Sequence, residues 1–99
     1  MSELSVVARR LKEARLRAGM SQEQLGILAG MDKFSASARI SQYEHAKHMP
    51  DLQTLTRLAH VLEIPVPYFY CEDPELAEVI VRFSEMSKAH RRRLLKLLD

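Results

Sequence analysis

The chain of 99 residues has a single cysteine, Cys71, so it cannot build a disulfide framework, and one free thiol suits a reducing compartment. Long apolar runs are missing too. The opening MSELSVVARR carries Glu3 early and no extended hydrophobic stretch, so neither a signal peptide nor a membrane span is expected, and the cytoplasm is the expected location. There is no P-loop, glycine-rich dinucleotide turn or HExxH motif. His45 and His48 stand three apart and Cys71 is a conceivable third zinc ligand, but Pro50 follows closely and a fourth ligand is missing, so no metal is expected. Ser21, Ser35, Ser37 and Ser41 are accounted for as helix caps and polar surface, and no spacing pairs any of them with a base. The chain therefore reads as non-enzymatic and free of cofactor.

A net charge of +2 says little, but its distribution says more. Residues 1–20 hold five bases against two acids, residues 71–80 four acids and no base, and residues 81–99 six bases against two acids. Three consecutive arginines, Arg91 to Arg93, point in different directions on a helix and read as a solvated face.

What is present is helical periodicity. A chain of this size suits one domain and buries roughly 65% of its unfolded surface. The first helix is expected from about Ser5 to Ala18, with Leu4, Val7, Ala8, Leu11, Ala14 and Ala18 inward, and Gly19 stops it. Ser21 and Gln24 form a capping-box pair, which starts a second helix at Gln22. Leu25, Leu28 and Ala29 share one face of it, and Gly30 ends it. Gly26, without a side chain, suits a closely crossing helix.

That crossing helix carries Ile40 and Tyr43, with Phe34 and Ala36 as further candidates for its buried side. Ser35 is the best cap by side chain, with Asp32 and Ser37 in competition. Further on, Asp51 caps a helix over Leu52 to Leu62, ended by Ile64-Pro65-Val66-Pro67. Pro74 opens a helix to about Phe83 or Ser84 with a stripe of Leu76, Val79, Ile80 and Phe83, and Ser87 caps a last one through Leu98.

The ordered series Arg15, Gly19-Met20-Ser21-Gln22, Leu25-Gly26, Ala29-Gly30, Ile40-Ser41, Tyr43-Glu44, Ala46-Lys47 and Pro50 resembles the helix-turn-helix family of lambda-repressor and Cro type regulators, over roughly residues 4–70. Two departures stand out. Nine residues lie between Gly30 and Ile40, about four more than the family pattern, so either the turn is longer or helix 3 gains a turn at its front. Ala46 stands where a glycine normally ends helix 3.

The resemblance implies an all-α fold: a lambda-repressor-like five-helix DNA-binding bundle with one additional C-terminal helix. Residues 1–70 form the DNA-binding domain, and residues 71–99 a helical extension for dimerisation or partner binding. By the same resemblance Arg15 pairs with Glu44, and Phe69 inserts beneath the bundle. The third helix, about residues 35–45, is expected in the major groove of double-stranded DNA, where base edges distinguish all four pairs. Ser37, Ala38, Arg39 and Gln42 are its base-facing set, and Gln22, Lys33, Ser41, Lys47 and His48 the phosphate contacts. The implied protein is a homodimeric repressor of transcription. An antitoxin-like or adaptor module, with DNA contact secondary, is the alternative.

Overall fold

Ser2 opens the described chain as a cap: its hydroxyl accepts the Ser5 amide at 3.2 Å, so helix α1 runs Glu3–Arg17 and begins before the expected Ser5. The computed structural model describes residues 2–99, among which are six α-helices, one 3-10 helix and no strand. After α1 come α2 (Gln22–Leu28), α3 (Lys33–Glu44), α4 (Leu52–Leu62), the 3-10 helix Val66–Tyr70, α5 (Pro74–Glu85) and α6 (Lys88–Leu97).

Both halves of the Ser21/Gln24 capping box are formed. Asp51 caps α4 through the Thr54 amide at 2.8 Å, and this bond holds the Asp51 carboxyl below its usual range. Asp73 and Ser87 cap α5 and α6.

The core gathers Val7, Leu11 and Ala14 of α1, Leu25 of α2, Ala36 and Ile40 of α3, Leu55 and Leu58 of α4, and Phe69 beneath them. Phe69 is wholly buried, its ring 5.1 Å from that of Tyr68 in an edge-on contact. Leu4 is half-buried and Ala18 exposed, because α1 stops at Arg17 and the chain turns away there. Leu28 was expected inward with Leu25 and Ala29 but is 61% exposed: α2 meets α3 at Gly26, buries Leu25 and Gly26, and leaves Leu28 on its outer side.

One buried charge has no counterpart in the periodicity. Arg10, on the inner face of α1, donates from Nε to the Cys71 carbonyl at 2.9 Å and from Nη2 to the Glu72 carbonyl at 3.0 Å. Its third group meets Glu13 at 2.8 Å, and the guanidinium lies 5.7 Å from the Tyr68 ring centroid. Arg10 thus fastens the link before α5 to α1. On α5 the buried residues are Ala77 and Val81, whereas Leu76 and Val79 of the expected stripe are each half exposed. That helix is apolar on two sides, and the bundle takes only one.

Helix α6 has no buried residue. Arg91 ties it back, donating to the carbonyls of Phe83 at 3.0 Å and Ser84 at 2.8 Å with its guanidinium over the Phe83 ring. Both carbonyls lie in the last turn of α5, where a cation is favoured by the helix dipole, and that of Phe83 also accepts the Met86 amide at 3.1 Å.

Candidate nucleic-acid interface

The four additional residues between Gly30 and Ile40 become helix. Asp32 caps α3 by accepting the Phe34 amide at 3.0 Å, so the helix begins at Lys33, two residues ahead of the expected Ser35. Ser35, expected as the cap, instead donates its hydroxyl to the Asp32 carbonyl at 3.3 Å.

The crossing of α2 and α3 is close enough to require glycine. A Cβ placed on Gly26 would lie 2.7 Å from the Ala36 Cβ, well inside contact distance. Ala36 and Ile40 are fully buried and Tyr43 nearly so, which fixes the rotation of α3 about its axis.

A second tie fixes the far end. Arg15 Nε donates to Glu44 Oε2 at 2.6 Å and Nη2 to Oε1 at 3.0 Å, a two-pronged pair, while Nη1 donates to the Met20 carbonyl at 2.9 Å. The Glu44 side chain is 1% exposed, and its hydrogen bond holds the Arg15 guanidinium above its usual range. Gln22 joins the cluster: its amide nitrogen donates to Glu44 Oε1 at 3.2 Å, so the side chain spans α2 and α3 and is half-buried.

The end of α3 is sharp despite lacking glycine. Ala46 adopts φ 58°, and the Lys47 amide donates to the Gln42 carbonyl at 2.9 Å while that of Ala46 reaches Tyr43 at 3.2 Å. This is the hydrogen-bond pattern glycine usually provides, adopted by a residue with a Cβ.

The rest of α3 faces solvent. Ser37, Ala38, Arg39 and Gln42 are all exposed, as are Lys33, Lys47 and His48, and Ser41 is half-buried. Ser41, Gln42, His45 and Lys47 line one shallow depression at the C-terminal end of the helix. Arg39 lies toward one edge, donating to the Tyr43 hydroxyl at 3.2 Å. His45 bonds the Ser41 carbonyl at 2.8 Å through Nδ1; a carbonyl only accepts, so Nδ1 carries the proton and Nε2 is left for another partner.

Phe34 is the largest departure from expectation on this face. Placed by periodicity among candidates for the buried side, it is 94% exposed. The start at Lys33 brings it into the helix, on the opposite side from the α2 crossing. The available signal was its two-residue spacing to Ala36, about 200° around a helix, which keeps the two off one face.

Among the described residues no group of three or more His, Cys, Asp and Glu is disposed to hold a metal ion, and no helix is long and apolar enough to cross a membrane.

Residues 11–69 match the helix-turn-helix family. A crystal structure of the transcriptional regulator BswR is similar to this chain, with 48% identity, a TM-score of 0.88, and coverage of 92% of this chain and 90% of that one. The curated proteins gave no significant match. With the family pattern spanning more than half the chain and its two crossing helices in place, this protein belongs to the helix-turn-helix family of lambda-repressor and Cro type.

Proposed function

We propose that this chain is a sequence-specific double-stranded DNA-binding regulator of transcription that lays α3 in the major groove and represses by occupying its operator. One observation carries the reading: α3 is fixed in rotation by Ala36 against Gly26 and at its end by the Arg15–Glu44 pair, yet on its opposite side Phe34, Ser37, Ala38 and Gln42 are exposed among the described residues. A rigid helix with a free polar face fits the major groove, where donor and acceptor patterns identify each base pair. Family membership and the likeness to a transcriptional regulator favour DNA binding over catalysis.

In this reading Ser37, Ala38, Arg39 and Gln42 face base edges. Arg39 suits a guanine edge and Gln42 an adenine edge, each by two bonds, and the Ala38 methyl suits a thymine methyl. Gln22, Lys33, Ser41, Lys47 and His48 meet phosphates and set orientation. Gln22 has two amide hydrogens, so one remains for a phosphate oxygen while the other holds Glu44.

The protein acts as a homodimer reading two half-sites about 34 Å apart. Leu76 and Val79 of α5 and Leu95, Leu97 and Leu98 at the end of the chain stay exposed, which supports residues 71–99 as the pairing element. A monomer by sedimentation at tens of micromolar, without DNA, removes this part alone.

Binding to random duplexes over a salt series tests the whole: affinity falls steeply as salt rises if phosphates are gripped. Selection from a random duplex pool then yields the half-site. Gln42→Ala should cost about 1–3 kcal/mol and relax one base position, while Lys47→Ala weakens every sequence alike and lowers the salt slope by about one unit. Absence of duplex binding even at low salt leaves the adaptor reading in its place.

A further inference from the structure

We propose that Phe34 is a specificity-determining residue whose ring lies against the 5-methyl group of a thymine in the bound duplex. The inference rests on the proposed major-groove reading by α3 and goes beyond it, since Phe34 belongs to neither the base-facing nor the phosphate set.

The first support is position. In helix-turn-helix docking the N-terminal residues of the recognition helix approach the base edges most closely. Because α3 starts at Lys33, that first turn holds Phe34. Phe34, Ala38, Ser41 and His45 stand four, three and four residues apart and run as one outward line opposite Ala36, Ile40 and Tyr43. The front of this line is apolar, Phe34 with Ala38 one turn behind it, and the rear is polar.

The second is chemistry. Base edges in the major groove offer donors, acceptors and one apolar projection, the thymine methyl, so an apolar pair at the front of the helix matches that one feature. A ring 94% exposed contributes nothing to the core, and leaving it in water forgoes the burial that would favour an inward position.

The third is rigidity. The amide of Phe34 itself is the donor that Asp32 caps, and Ala36, two residues on, is seated against Gly26. The backbone beneath the ring is therefore held at both sides, and the side chain has only two torsions left to order on binding.

The experiment uses a duplex selected with the full wild-type chain. Each thymine is replaced in turn by deoxyuridine, which removes the methyl and nothing else, and dissociation constants are measured for wild type and Phe34→Ala at one salt concentration. Burial of a single methyl corresponds to about a fourfold change in affinity. Loss of that order is expected for wild type at the thymine under Phe34, in addition to any thymine read by Ala38, and no more than twofold at that same thymine for Phe34→Ala.

Phe34→Ala itself should bind the selected duplex roughly tenfold more weakly with an unchanged salt slope, since no charge is lost. Its circular dichroism and unfolding should match wild type, because Phe34 is exposed. Wild-type affinity in Phe34→Ala, or the same deoxyuridine profile in both proteins, overturns the proposal. So does a variant that changes self-association but not duplex binding, which would assign the ring to a protein contact. Failure here is distinguishable from failure of the wider reading: a deoxyuridine profile that is the same in both proteins on a tightly bound duplex removes Phe34 alone, whereas no salt-dependent duplex binding by wild type removes both.

Discussion

Helices α3 and α6 are of similar length, each is capped by a side-chain oxygen, and each shows a largely polar surface. They differ in what lies behind them. Helix α3 buries Ala36, Ile40 and Tyr43 and is tied at its end by Glu44, while α6 buries nothing and hangs by Arg91. The lesson is that capping and propensity make a helix, but only a buried face makes it a rigid one. A reading surface needs the first kind. The second kind keeps its apolar side chains available for whatever covers them.

The comparison breaks most severely at Glu44. Removing one partner of a buried ion pair leaves the other uncompensated, at a cost of about 3–5 kcal/mol. Arg15→Met and Glu44→Ala should both show this loss in urea unfolding. Arg17→Met should lose less than about 1 kcal/mol, because the Arg17–Glu85 contact is 3.5 Å long and exposed on both sides. Equal losses for Arg15→Met and Arg17→Met would mean that the Arg15 pair does not hold α3.

Next comes the crossing. On helix propensity alone, Gly26→Ala would stabilise by about 1 kcal/mol. The 2.7 Å approach to Ala36 predicts the opposite sign, a destabilisation of about 1–3 kcal/mol from overpacking. Thermal unfolding decides the sign, and a stabilised Gly26→Ala would show that the two helices part easily.

Sharpening is possible at the other end of α3. Ala46 occupies the left-handed region at φ 58°, which costs a residue with a Cβ about 1 kcal/mol. Ala46→Gly should therefore raise stability by roughly that amount without moving the helix, read as a higher urea midpoint at constant slope.

The smallest effect on global stability belongs to α6. Arg91→Ala should speed amide exchange across residues 88–97 while shifting the stability of the rest by no more than about 0.5 kcal/mol. A large global loss would instead make α6 part of the bundle.

Much of the bundle was legible because its signals are local. The capping box at Ser21, the stop at Gly19 and Gly30, the prolines after α4 and the periodicity of Leu55, Leu58 and Leu62 each act within a few residues, and the backbone obeys them. The need for a small residue at Gly26 was legible too, as the mark of a close crossing. Arg10 was not: a basic residue on a helix reads as solvent-facing, and its partners, the carbonyls of Cys71 and Glu72, lie about sixty residues away. Phe34 failed in the other direction: hydrophobicity says inward, whereas its two-residue spacing to the buried Ala36 sets it on the opposite side of the helix.

Composition, caps and spacing by themselves determined that this chain is helical, where most helices begin and end, and which family pattern it carries, because those properties depend on contacts between near neighbours in sequence. The tertiary structure alone decided that the additional residues lengthen α3, that Ala46 does the work of glycine, and which side of α5 is buried. These three depend on how segments distant in sequence come together, which spacing does not record; the outward side of Phe34 followed from its spacing to Ala36 once the start of α3 was fixed.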